Sequence, residues 1–126
     1  MRERPLVVLD TNMLLVPLQF GVDVFDEIQR LVPGARMAVV RGTLEELDRI
    51  ASRGGRDARY ARLAKRMILL KSLEVLDIDG PVDPALVELA KQGAIIATND
   101  RLLKRRVWAV GARVIALRDK GHLELF

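Results

Sequence analysis

Four carboxylates, Asp10, Glu46, Asp83 and Asp100, are the residues with the most chemistry to offer. Asp10 ends the aliphatic run Leu6-Val7-Val8-Leu9, and each of the others follows a strand-like segment or opens a helix-like one. In a parallel sheet with right-handed crossovers, all such junctions lie along one edge. The four acids can therefore converge without being neighbours in sequence. Carboxylates crowded together raise one another's pKa values, and a divalent cation relieves the repulsion. With only hard oxygen donors in the set, the expected ion is Mg²⁺ or Mn²⁺. Such ions activate water and stabilise both the entering and the leaving oxygen of an in-line displacement at phosphorus. With arginines nearby, the natural substrate is a nucleic-acid phosphodiester.

Taken singly, the acids have simpler explanations. Thr43-Leu44-Glu45-Glu46 fits a capping box, with Thr43 at the N-cap and Glu46 reaching back to it. Asp83-Pro84 supplies the residues preferred at an N-cap and at the first helical position. Asp100 is placed to cap a helix and to be stabilised by its positive end. For Glu46 and Asp83 alone, capping is the better account. Asp10 is different, because a charge ending a buried strand faces desolvation unless something pairs with it.

Composition narrows the alternatives. The 126 residues are half hydrophobic and 30% charged, which fits one folded domain over 1–126. Only 4% are aromatic, so the core must be aliphatic. The net charge of +4 leans toward a polyanionic partner. The absence of cysteine excludes disulfides and thiolate zinc sites. A single histidine, His122, leaves no basis for a histidine-rich metal site or a Ser-His-Asp triad. Asp10 interrupts the first apolar run, so no signal peptide is expected. No stretch approaches the ~20 apolar residues of a membrane span. A cytoplasmic protein without membrane association is expected.

The elements that must position the acids alternate between strand and helix. A short unbroken aliphatic run reads as a strand buried on both faces, which predicts Leu6–Leu9 and Ala94–Ala97 as central strands. Met37–Val40, Glu74–Ile78 and Arg113–Leu117 read as further strands, and Leu123–Phe126 as an edge strand. Helices are predicted from Asn12 to Gln19, limited by Pro17, and from Asp23 to Val32, stopped by Pro33-Gly34. Others run from Thr43 to Ser52, from Asp57 to Lys71, from Asp83 to Gln92, and from Arg101 to Val110. The helix after Asp57 shows an apolar face of Tyr60, Leu63, Ala64, Met67 and Leu70. The alternation implies a three-layer α/β fold, with a parallel sheet of about five strands between helices.

At this point the chain resembles the PIN-domain endoribonucleases. The resemblance rests on VVLDTN at the start, EEL in the second acidic segment, VDPALVELA in the third and ATNDRLLKRR in the fourth. The ending VIALRDKGHLEL makes it more similar to ribosomal-RNA-processing PIN proteins of the small-subunit processome than to VapC toxins. The resemblance implies a sheet of order 3-2-1-4-5 and metal-dependent hydrolysis of single-stranded RNA. By motif, Asp10, Glu46, Asp83 and Asp100 become the catalytic and metal-binding acids, with Glu45 competing for the second place. Asn12 and Thr98 match polar positions that support them. Many relatives carry a further acid where this chain has Pro84. A homodimer, and a ribosome-assembly or antitoxin protein as partner, are also implied.

Arg53, Arg56, Arg59, Arg62, Lys65 and Arg66, with Lys104, Arg105 and Arg106, form a basic set that could guide RNA to the acidic edge. Any one of them alone is better read as part of a solvated helix face. Trp108 and Tyr60 lie among apolar helix residues and read as packing, and His122 reads as a surface residue. A haloacid-dehalogenase-type phosphatase also starts from an Asp after the first strand, but its chemistry wants a second Asp where this chain has Asn12. A PIN-like module that binds RNA or protein without cutting, and a VapC-type toxin, are the other readings.

Overall fold

A computed structural model describes residues 4–126. Its strands are β1 (Leu6–Leu9), β2 (Arg36–Val40), β3 (Glu74–Leu76), β4 (Ile95–Ala97), β5 (Val114–Arg118) and β6 (His122–Leu125). Its helices are α1 (Val16–Phe20), α2 (Val24–Leu31), α3 (Arg41–Ser52), α4 (Gly55–Leu70), α5 (Val82–Lys91) and α6 (Arg101–Ala109). The sheet order is β3-β2-β1-β4-β5-β6. The first five strands follow the expected order in parallel, and β6 extends the sheet antiparallel to β5.

The aliphatic runs become central strands because each face has a helical layer to cover it. Val7 and Leu9 point into one core, with Met13, Leu14, Phe25, Ile28 and Ile68. Val8 points into the other, with Leu86, Leu89, Leu103 and Val107. This is the period-2 alternation of a strand, with both faces apolar. The registers Leu9↔Ala97 and Ala97↔Ile115 align the strand ends, so Asp10 and Thr98 leave the sheet side by side. The ladder continues past those ends through Asp10 N–H to Ala97 O, 2.9 Å, and Thr98 N–H to Ile115 O, 2.9 Å.

The structure corrects several local expectations. Pro17 does not limit a helix from Asn12. Thr11–Leu15 form a 3₁₀ turn, and Pro17 sits in the first turn of α1, where its missing N–H costs nothing. The apolar face of α4 is rotated from the expected one. Ala58, Ala61, Ala64 and Ile68 are buried, while Leu63 and Leu70 are exposed and Tyr60 and Met67 are half-buried. Small residues let α4 approach its neighbours closely, and a count weighted by bulk picks the wrong side. Trp108 is also exposed, because α6 buries Leu103 and Val107, four residues apart, and the next residue turns ~100° away.

β6 is a sheet edge, and α2 covers part of it. The N–H of Leu123 donates to Glu27 at 2.9 Å, and Arg30 donates to the Leu123 carbonyl at 3.0 Å. Glu27 and Arg30 pair with each other, which holds the Glu27 carboxyl below its ordinary pKa.

The rotated face of α4 predicts opposite outcomes for two substitutions. Ala61→Leu overpacks a closed contact and should cost about 1–3 kcal/mol. Leu70→Ala should stay within about 0.5 kcal/mol of the parent. Urea denaturation of both variants checks this; a costly Leu70→Ala beside a silent Ala61→Leu would restore the other face.

Candidate active site

The site begins where β1 runs out. Asp10 is only 5% exposed, and two donors converge on its carboxylate. The Thr11 N–H donates to Oδ1 at 2.8 Å, and the Thr98 hydroxyl donates to Oδ2 at 2.8 Å. Burial raises the Asp10 pKa to about 6, the Thr98 and Thr11 hydrogen bonds oppose the rise, and the charges of Asp83 and Glu46 add to it. The Thr98 oxygen also accepts the Asp100 N–H at 3.1 Å, and Asp100 caps α6 by accepting the Leu103 N–H at 2.8 Å. One hydrogen-bonded line thus joins β1, β4 and α6. The capping role expected for Asp100 is present, and it leaves Asp100 on the same edge as Asp10.

Glu46 and Asp83 lose their capping explanations. α3 starts at Arg41, two residues earlier than expected, and Val40 at its N-cap makes no side-chain bond. Thr43 therefore lies inside the helix, buried, and no capping box forms. Its hydroxyl instead accepts from the Thr11 hydroxyl at 3.1 Å, tying α3 to the end of β1. Glu46 is half-exposed and acts on Asp10 by charge, whereas Glu45 is exposed. α5 likewise starts at Val82, with Pro81 at the N-cap and no side-chain bond. Pro81 has the extended backbone that helix entry requires, so Asp83 falls in the first turn rather than at the cap. Partial burial and the Asp100 charge raise the Asp83 pKa, and Arg106 opposes them.

A close approach brings these two junctions together. A Cβ on Gly42 would meet the Gly80 carbonyl and the Val82 side chain at 3.1 Å each, so the missing side chain lets the start of α3 sit against the loop before α5 without pushing it away. Arg41 fixes the same loop by pairing with both Asp77 and Asp79. Thr11, Arg41 and Gly42 are supporting residues that the sequence pattern does not single out, and Thr43 is singled out only as a cap. The signal available was Arg41-Gly42-Thr43 directly after a buried strand, which reads as helix entry and not as a contact.

The four acids are linked pairwise by charge, Asp10 with Asp83 and Glu46, and Asp83 with Asp100. Among the described residues, no three acidic or imidazole groups stand close enough together to hold a cation as they are. The donor chemistry still fits a hard divalent ion, because the groups are carboxylates and part of the Asp10 rise is the unscreened charge of its neighbours. Asn12 is exposed, while Thr98 is fully buried. Arg53, Arg56, Arg59, Arg62, Arg66 and Arg105 are exposed, Lys104 is half-buried, and Lys65 pairs with Asp48. His122 is half-buried and meets Glu124 at 3.2 Å. Among the described residues, no helix is long and apolar enough to cross a membrane.

A three-layer α/β sheet with carboxylates along its carboxyl edge belongs to the class of open α/β folds that place ligands at that edge. Within that class the chain belongs to the PIN-like domain family, which it matches over residues 7–120. It is 32% identical to Ribonuclease VapC9 of Archaeoglobus fulgidus over 114 residues, 89% of this chain and 82% of that one. It is 28% identical to Ribonuclease VapC4 of Methanocaldococcus jannaschii over 127 residues, 95% of each. The fold is similar to that of the PIN domain endonuclease Utp24, with TM-score 0.79 at 21% identity, covering 95% of this chain and 90% of that one. A domain of a functionally unknown protein from Methanocaldococcus jannaschii is similar at TM-score 0.67 and 16% identity, covering 90% and 91%.

Two outcomes follow for the metal-free protein. The Asp10 pKa in the folded state, about 6, lies above its ordinary value of 3.8. Ionised Asp10 therefore costs stability above pH ~6, and the cost fades as pH falls from 6 toward 3.8. Asp10→Asn should stabilise the protein by about 1–3 kcal/mol at pH 8 and by little at pH 4. Denaturant titrations at the two pH values check the sign. Thr98→Val removes the hydroxyl that serves both Asp10 and the Asp100 N–H, and should cost about 1–3 kcal/mol. An unchanged denaturation midpoint would show that the line of hydrogen bonds contributes nothing.

Proposed function

We propose that the protein is a metal-dependent endoribonuclease, in which Asp10, Glu46, Asp83 and Asp100 hold Mg²⁺ or Mn²⁺ at the carboxyl edge of the sheet. The observation that carries this reading is the coupling of Asp10 to Asp83 and Glu46 at a buried strand end. A buried carboxylate whose ionisation is opposed by the charges of two others on the same edge gains from a counter-charge. Membership of the PIN-like family supports it, and so do the ribonuclease names of the two relatives.

When bound, the divalent ion supplies an activated water and charge neutralisation at the phosphate. The chain's own residues do the rest. The Thr98 and Thr11 bonds fix the Asp10 carboxylate in one orientation. Asp83 on α5 and Glu46 on α3 would supply further oxygens to the ion from two separate elements. Asn12, exposed two residues after Asp10, takes the supporting role that its motif position implies. Arg53, Arg56 and Arg59 on the α3–α4 side, with Lys104 and Arg105 on α6, guide the RNA backbone. A role in ribosomal-RNA processing is supported by the resemblance of the C-terminal motif VIALRDKGHLEL to that of rRNA-processing PIN proteins. The second reading is a VapC-type toxin ribonuclease with an antitoxin partner, supported by the names VapC9 and VapC4.

The test is cleavage of an end-labelled single-stranded RNA with Mn²⁺. EDTA should abolish cleavage, and Asp10→Asn or Asp83→Asn should each lower the rate by at least about 100-fold. Cleavage that survives EDTA and Asp10→Asn would overturn the assignment. RNA binding without any cleavage would make the protein a non-catalytic PIN module. Reversing Arg53, Arg56 and Arg59 to Glu should weaken binding and flatten its salt dependence.

A further inference from the structure

The face of α4 that turns outward leaves an apolar surface that folding does not use. Leu69 and Leu70 are 79% and 77% exposed, and Val75 on the edge strand β3 is 44% exposed. Leu69 and Val75 line a groove of about 450 Å³ together with Leu44 and Ile68. Arg62, Lys65 and Arg66 form its rim, and no acidic residue lines it. Lys65 is held by Asp48, whereas Arg62 and Arg66 form no ion pair with any described residue.

We propose that this groove docks an acidic amphipathic helix of a partner protein. Its apolar stripe would cover Leu69 and Val75, and its carboxylates would pair with Arg62 and Arg66. The charge on the rim selects this occupant. A second copy of the chain placed by a two-fold axis would set cationic rim against cationic rim. RNA would suit the arginines, but the lining is aliphatic, with no ring for a base to stack on. Arg62 and Arg66 therefore separate from the RNA-contacting set and join the groove.

The groove shares an element with the candidate site. Leu44 is in the first turn of α3, the helix that also carries Glu46. A helix seated there would press on the element that positions Glu46. Docking itself needs no nuclease chemistry, so the proposal stands apart from the catalytic reading.

The test is an NMR titration of the isotope-labelled full chain with a designed helical peptide. One peptide carries Leu along one face and Glu on both flanks, and a second replaces every Glu by Lys. The acidic peptide should shift the amide signals of the last two turns of α4 and of β3. The basic peptide should bind at least about tenfold more weakly. Leu69→Lys should weaken the acidic peptide by a similar factor, and its exposure makes misfolding no obstacle. The double variant Arg62→Glu/Arg66→Glu should reverse the preference between peptides. No shifts at millimolar peptide, shifts elsewhere, or equal binding of both peptides would overturn the proposal. Concentration-dependent shifts without peptide would assign the groove to a second copy. The same shifts produced by single-stranded RNA, and lost in the double variant, would assign it to nucleic acid.

Discussion

A carboxylate buried at the end of the central strand is the constraint around which this molecule is arranged. Asp10 can remain ionisable at 5% exposure only because two hydrogen bonds reach it. One comes from the next residue's own N–H and one from Thr98, which a neighbouring strand must deliver. That second bond requires β4 beside β1 in the register Leu9↔Ala97. Once β4 is there, Thr98 also receives the Asp100 N–H, and the start of α6 is fixed by the same hydroxyl. Among the described residues, no buried side-chain polar atom lacks a partner, so the polar network under the site is closed.

The acids around Asp10 work against the fold. Burial and the charges of Asp83 and Glu46 all push its pKa upward, which is a cost in stability at neutral pH. The structure holds the opposing groups in place by contacts that carry none of that charge. The Thr11–Thr43 hydrogen bond ties α3 to β1, and the missing side chain of Gly42 lets α3 lie against the Gly80 carbonyl. Arg41 spans Asp77 and Asp79 on the loop that leads to Asp83. Such exposed pairs contribute little stability each, and their effect is to fix the loop's position.

Positive charge serves two surfaces with different chemistry. Near the carboxylate edge, Arg106 lies close enough to Asp83 to act on its ionisation. Along α4, Arg62 and Arg66 border the aliphatic side chains of the groove. Net charge alone does not separate these surfaces. The apolar residues beside each cation do, because a phosphate backbone gains from charge alone while a peptide also buries hydrophobic area.

Local pattern determined much of this protein. Unbroken aliphatic runs require two covered faces, and their alternation with helical segments leads to a parallel three-layer sheet with Asp10 at its carboxyl edge. The motifs carried the strand order and the PIN resemblance. The capping patterns at Thr43 and Asp83 do not mark helix entry, because α3 and α5 begin earlier, behind Val40 and Pro81, which make no side-chain cap. Thr43 went to Thr11, 32 positions away in the chain. The buried side of α4 was misread because hydropathy rewards bulk, whereas close helix packing rewards alanine. The sequence by itself could specify the residues, the elements and the edge on which they meet. Which hydroxyl reaches Asp10, why Gly42 has no side chain, and which face of α4 stays in water were decided only when distant segments packed, because each depends on atoms that no local pattern contains.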